Sequence, residues 1–439
     1  MNELELLNQR DQEKRLSSLE MIFKDSGNGK EIVSTEEVNN HVHTIYSFSP
    51  YSPSAAVYQA WKAGLKAVGC MDHDSVAGCR ELIDACKIVG IGSTVGFELR
   101  TNFSGTVVEG KRLNSPDSKN IGYIAIHGIP EKRLPDCADF LAPINHERNI
   151  RNEQQVKQLN FLLSDLGLDP LDFERDVVPL SMAHEGGSIT ERHILFALVN
   201  QLVCRCGKGQ ALVDFLRDSL HLSVPERIGE YLKDEQNPHY EYDLLGLLKS
   251  TFIDKIFIQP NYKECVSVFQ AVEFANAVGA IPAYAYLGDV TDSPTGDKKA
   301  QKFEDDFLDI LMPQIKKIGF RAVTYMPPRN TLPQLMRIQS LCEQYELMEI
   351  SGVDINSSRQ VFNCPIILEK EFRHLADATW ALIAHEKMSS QDEKYGLFSR
   401  ENPYYSLPLQ ERIGKFTKAG RSMDPFHPET ILKTWNFKE

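Results

Sequence analysis

From Val38 onward the chain alternates short apolar strands with helices, stops doing so near residue 145, and resumes the same alternation near residue 256. That interrupted cadence constrains the fold more than any other feature. The helix of "SPSAAVYQAWKAG" begins with Ser52 as a possible N-cap and Pro53 in its first turn. The strand "LKAVGCM", the helix "GCRELIDACKIVG" and the strands "STVGFEL" and "IGYIAIHGI" follow. After the gap come "AIPAYAYL", "FRAVTYM" and "LMEISGVDI", with helical text between them. Such a run implies parallel strands joined by crossover helices. This many strands in one run point to an α/β barrel, in which chemistry gathers at the C-terminal strand ends.

The stretch that breaks the cadence is almost free of strand text, and "TERHILFALVNQLV" and "GQALVDFLRDSL" within it read as helices. The expected organisation is a helical extension over 1–37, a first barrel part over 38–145 and a helical insertion over 146–255. A second barrel part covers 256–369, and a C-terminal extension of unassigned role covers 370–439. At 439 residues the chain has room for one large unit with such appendages.

Charge narrows the partners. The formal net charge is −13 and no basic stripe is visible, which argues against a protein that coats long nucleic acid. A small phosphorylated ligand stays possible where a local cation reverses the field. The apolar runs are too short for a membrane span, and the charged N-terminal text lacks the apolar core of a signal peptide. Nine cysteines without regular spacing fit free thiols, so a cytoplasmic setting is expected.

The expected strand ends carry polar residues in a pattern. "NNHVHTIYSFSPYS" offers His41 and His43, and "GCMDHDSVAG" offers Asp72, His73 and Asp74. "GFE" ends on Glu98, and "SGVDIN" contains Asp354 and Asn356. Alternation along a strand puts His41 and His43 on one side. Imidazoles with carboxylates suit zinc, manganese or iron. Each piece has a plainer explanation: a His-x-His pair is often structural, and Asp74 or Ser75 fits a helix cap. Their recurrence at successive strand ends favours a metal site.

Taken together, these motifs resemble the polymerase and histidinol phosphate phosphatase (PHP) superfamily, over roughly residues 38–365. The resemblance implies a distorted seven-stranded (β/α) barrel of PHP type with a helical insertion, a multi-metal site and phosphoesterase activity. It assigns a first metal to His41, His43, Glu98 and Asp354, and catalytic duties to Asp72 and His73. "SITERHILFALV" is similar to the insertion motif of the branch that acts on nucleotides, which implies that Arg192 and His193 face a phosphate. Lys255, in "DKIFIQP", falls where that branch often has a lysine.

The chain also departs from the family pattern. Tyr123 and Tyr286 fall where the resemblance would place second-metal histidines, and Phe48 and Asn356 fall where it would place third-metal ligands. His127, four residues past Tyr123, becomes a ligand if the strand slips in register, and His184 of the insertion is a further candidate. The expectation is therefore one divalent ion per chain. Missing positive charge would come from Arg192, Lys255 and a protonated His73. Without a cation, the clustered carboxylates would be pushed toward protonation. The leading expectation is a metal-dependent phosphoesterase with a small phosphorylated substrate, a nucleotide among the options. The alternative is a catalytically silent relative that binds a ligand or partner.

Overall fold

A computed structural model describes residues 2–27, 32–115, 118–289 and 302–437. Two helices, α1 (Glu3–Leu7) and α2 (Gln12–Asp25), precede the barrel. Arg15 of α2 is fully buried and meets Glu81 at 2.5 Å, which fixes this extension to the barrel wall. The first barrel strands and helices are β1 (Val38–Val42), α3 (Pro53–Lys62), β2 (Ala67–His73), α4 (Cys79–Val89), β3 (Gly92–Asn102) and β4 (Ile121–His127). Ser52 does cap α3, its hydroxyl accepting from Ala55 N at 3.0 Å.

Next come α5 (Leu134–Leu163), α6 (Glu191–Cys206), α7 (Gln210–Asp214), α8 (Glu226–Lys233) and α9 (Tyr240–Ile256). Helix α5 begins before the expected boundary at 145. Its first half buries Leu134, Leu141 and Ile144 in the barrel core, while Val156, Leu159 and Leu163 join a second apolar cluster with α6 and α9. One helix thus serves two cores. The chain then returns through α10 (Val268–Ala277), β5 (Ile281–Ala285), α11 (Leu308–Ile318), β6 (Ala322–Tyr325), α12 (Leu332–Gln344) and β7 (Met348–Ser351).

The seven strands lie in sequence order, and backbone bonds between His41, His43 and Ile355 bring the last back to the first. The sheet is a nearly closed, distorted barrel. Gly352 permits that closure, because a Cβ there would fall 2.5 Å from the His41 Cβ. One expectation needs correction. Strand β4 is antiparallel to both β3 and β5, so the barrel is mixed rather than all parallel. The hydrophobic run of β4 carries no mark of direction, and the backbone can be satisfied either way. As a result the N-terminal half of β4, not its C-terminal end, lies at the mouth.

The C-terminal extension closes the other end. Helices α13 (Arg373–Gln391), α14 (Leu409–Ser422) and α15 (Ile431–Thr434) follow the barrel. Thr379 of α13 accepts from the Asn40 amide at 2.7 Å, and Glu386 accepts from the free Val95 N–H at 2.7 Å. These bonds supply partners for groups that an open floor would leave bare. Among the described residues no helix is long and apolar enough to cross a membrane.

His385 yields a pH prediction. Its Nε2 donates to the Gly128 carbonyl at 3.1 Å, while Nδ1 accepts from Leu397 N at 2.9 Å. The neutral ring is therefore fully used, and a second proton would displace the Leu397 bond. Burial holds its pKa down at about 4, against the carbonyls of Gly128 and Gly279. Between the ordinary value of 6.5 and about 4 the unfolded chain binds the proton and the folded chain does not. This part of the stability is complete above pH 6.5 and is lost as pH falls, at no more than about 1.4 kcal/mol per pH unit. Denaturant midpoints across that range should fall with acid, and His385→Gln should flatten the slope.

Candidate active site

Four strand ends converge at the mouth. His41 and His43, two residues apart at the end of β1, share the inward face, with ring centroids 5.2 Å apart. His73 and Glu98 are register partners on β2 and β3. Asp354 follows β7 just beyond the closure.

His41 Nε2 lies 3.3 Å from Glu98 Oε1, and His73 Nδ1 lies 3.3 Å from Glu98 Oε2. His43 Nε2 lies 3.2 Å from Asp354 Oδ1, yet it is buried and makes no hydrogen bond. Among the described residues, two overlapping groups have metal-ligand spacing: His41, His43 and Asp354, and His43, His73 and Glu98. Within each, the ligand atoms lie within 4.8 Å of one another. An orphaned imidazole nitrogen among converging carboxylates fits a divalent cation. His43 belongs to both groups.

The electrostatics show a demand for positive charge. Burial disfavours the His41 imidazolium, but Glu98 and then Asp354 outweigh it and raise the pKa to about 9. Burial would push the Asp354 carboxyl up, but His43, His41 and Arg192 hold it well below the usual range. The expected upward push on this carboxylate is therefore reversed by these neighbours. His73 behaves oppositely to expectation as well. Burial first, then His43 and Arg148, hold its pKa well below normal, so it is neutral and cannot supply charge.

Asp72 is fully buried and faces the turn after β1. It accepts from Thr44 N, Thr44 Oγ1 and Ser47 Oγ, each at 2.6 Å. Ser47 in turn sits 3.4 Å from His43 Nδ1. Asp72 thus positions His43 through Ser47 and stays one residue removed from the ligand groups.

A cavity of about 440 Å³ opens over the cluster, between the barrel mouth and helices α5, α6 and α9. Arg100, Arg148, Arg192, Lys249 and Arg329 line it beside Glu98, Glu191, Asp254 and Asp354, so five cationic side chains face four carboxylates there in an otherwise acidic chain. Arg192 is half-buried there, its Nη1 donating to the Asn356 carbonyl at 3.4 Å. His193 is placed elsewhere: its Nδ1 accepts from Thr190 N at 3.0 Å, and its ring packs edge-on against Phe48. Lys255 is exposed, with its ammonium over the Phe252 ring and outside the cavity lining. Lys249, six residues earlier on α9 and therefore on a different face, takes the place expected for Lys255.

The departures from the family pattern have structural uses. Phe48 joins the apolar cluster of the helical segment. Asn356 donates to Asp354 Oδ1 at 2.5 Å and orients it. Tyr286 donates its hydroxyl to Asp305 at 2.6 Å, away from the histidines. Tyr123 accepts from Arg100 Nε at 2.8 Å, with its ring 5.8 Å from that of His73. His127 pairs with Gly96, one inward-facing layer below Glu98, where burial and His41 lower its pKa to about 3. His184 is exposed. Neither histidine belongs to a ligand group.

Sequence reading missed Arg100 and Arg148. Arg100 had a signal, since it follows Glu98 by two on a strand and must share its face. Arg148 lies on a long polar helix and had none. Arg148 meets Asp74 at 2.7 Å, and Arg151 holds Glu264 at 2.6 and 2.7 Å and Glu191 at 2.9 Å. These buried ions join the barrel to α5 and α6.

No protein-family model matches the chain. A stretch of 80 residues, 18% of the chain, is 34% identical to a 5'-3' exoribonuclease of Haemophilus influenzae. The chain spans 29% of that relative's length. A protein of Bifidobacterium adolescentis assigned as a metal-dependent phosphoesterase superposes with a TM-score of 0.48 at 17% identity, covering 75% of this chain and 94% of that one. An amidohydrolase of Chromobacterium violaceum, solved with bound sulfate, gives 0.47 at 15% identity, covering 75% and 90%. The distorted seven-stranded α/β barrel with helical insertions, expected from the strand-end motifs, is the fold of this chain.

Proposed function

We propose that this chain is a metal-dependent phosphoesterase that hydrolyses a small phosphorylated molecule, a nucleotide fitting best, with one divalent ion. The supporting observation is the juxtaposition of two ligand groups sharing His43, one with His41 and Asp354 and one with His73 and Glu98, with a cavity that five cationic side chains line. Zinc, manganese or iron suits these donors. When bound, such an ion lowers the pKa of a coordinated water and neutralises a phosphoryl oxygen. Asp72 and Ser47 hold the His43 ring in place, Asn356 orients Asp354, and neutral His73 is available to accept a proton. Arg192 contacts the phosphate from the insertion side. The cavity volume falls within the usual range for small-ligand sites. The reading is of a cytoplasmic enzyme.

A second reading, a silent binding protein, is favoured by the tyrosines. Tyr123 and Tyr286 both spend their hydroxyls on other partners. Phosphate release from 3'- and 5'-mononucleotides decides between the two, with a 5'-phosphorylated oligoribonucleotide as a further probe. Metal-dependent release that Asp354→Asn abolishes is the expected result. Nucleotide binding without release by metal-loaded protein would support the silent reading. Preference for the oligoribonucleotide would replace the small substrate with nucleic acid. Arg192→Ala should weaken mononucleotide binding by about 1.5–3 kcal/mol in calorimetry.

A further inference from the structure

Arg100 is a buried cation whose hydrogen bonds are incomplete. It is 8% exposed and lines the cavity on the face of β3 that carries Glu98. Its Nε is fixed by the Tyr123 hydroxyl at 2.8 Å, and its Nη2 donates to Glu191 Oε1 at 3.1 Å. Nη1 is buried and has no hydrogen-bond partner. A guanidinium offers five N–H groups in a rigid fork, and an unpaired buried donor is costly. Its one carboxylate is also shared, because Arg151 Nη1 donates to the same Glu191 oxygen at 2.9 Å. Tyr123 meanwhile connects Arg100 to the metal-type cluster, with its ring 5.8 Å from that of His73.

We propose that Arg100, held by Tyr123 and Glu191, is an anion-binding residue of the cavity and that its Nη1 takes a phosphoryl oxygen of the substrate. The assignment rests on the phosphoesterase reading and deepens it. It selects a phosphate ester whose phosphoryl group reaches from the cluster to the β3 wall. A fork held on one side by a phenol and a carboxylate loses little further freedom when its remaining edge takes a ligand. Arg100 then supplies the fixed charge that the sequence assigned to Lys255 and to a protonated His73, neither of which the structure provides.

Inorganic phosphate titrated calorimetrically into the full chain, metal-free and metal-loaded, tests this. Arg100→Lys keeps a positive charge facing Glu191 but loses the fork, and it should weaken phosphate binding by roughly tenfold or more. Phosphate binding by wild type with unchanged affinity in Arg100→Lys makes Arg100 a structural brace only, and leaves the phosphoesterase reading standing. Wild type that binds no phosphate in either form overturns both. A second measurement covers a variant that fails to fold. Wild-type crystals soaked in phosphate should show an oxyanion within hydrogen-bond distance of Arg100, whereas an anion held by Arg192 or Lys249 without Arg100 overturns the assignment.

Discussion

Replacing His43 with Ala should strip nearly all transition metal from the protein, from close to one ion per chain to roughly a tenth of that or less. His43 is the one residue shared by both ligand groups, so its loss leaves neither with three donors. His73→Ala should behave differently, because His41, His43 and Asp354 remain together. Losing a ligand outright should cost at least the 10–100-fold typical of losing its supporting partner. Elemental analysis of protein purified without chelator makes the comparison. Equal loss in the two variants would show that the ion sits in the His43, His73 and Glu98 group alone. Two or three tightly bound ions in wild type would mean that further ligands have been overlooked.

Glu264→Leu should destabilise the fold by about 3–5 kcal/mol, the cost of breaking a buried ion pair from one side. Glu264 is 2% exposed and takes both nitrogens of the Arg151 fork, with Arg148 Nε 3.5 Å away. Its loss leaves Arg151 with Glu191 and Arg148 with Asp74, two carboxylates for the three buried guanidiniums of Arg100, Arg148 and Arg151. Arg151→Met in the same chain should recover part of the loss, since an apolar pair needs no counter-charge. Chemical denaturation followed by circular dichroism reads both variants. A single variant as stable as wild type would show that water or a rearranged Asp74 already screens these charges. Because the network joins β3 to α5 and α6, partial unfolding of the insertion should precede loss of the barrel.

Much of the site was legible in the chain. The strand-end motifs point to His41, His43, His73, Glu98 and Asp354, since ligand chemistry restricts residue type and strand alternation restricts spacing. The helix start at Ser52 was equally readable, because capping is a contact between near neighbours. Local signals of this kind survive in one dimension.

Direction and long-range pairing do not. The run "IGYIAIHGI" reads the same whether its strand is parallel or antiparallel, and only the sheet decided that Tyr123 lies at the mouth and His127 toward the floor. His193 resembled a phosphate ligand until packing turned its ring onto Phe48. Lys255 and Lys249 lie on the same helix, and which of them enters the cavity depends on how α9 is rotated against the barrel. The C-terminal segment carried no readable role because its partners, Asn40, Val95 and Gly128, lie hundreds of residues away in sequence. Sequence determined which groups are able to bind a metal. The folded sheet decided which of them meet, because side-chain chemistry is local whereas strand direction and helix rotation are set by burial summed over the whole core.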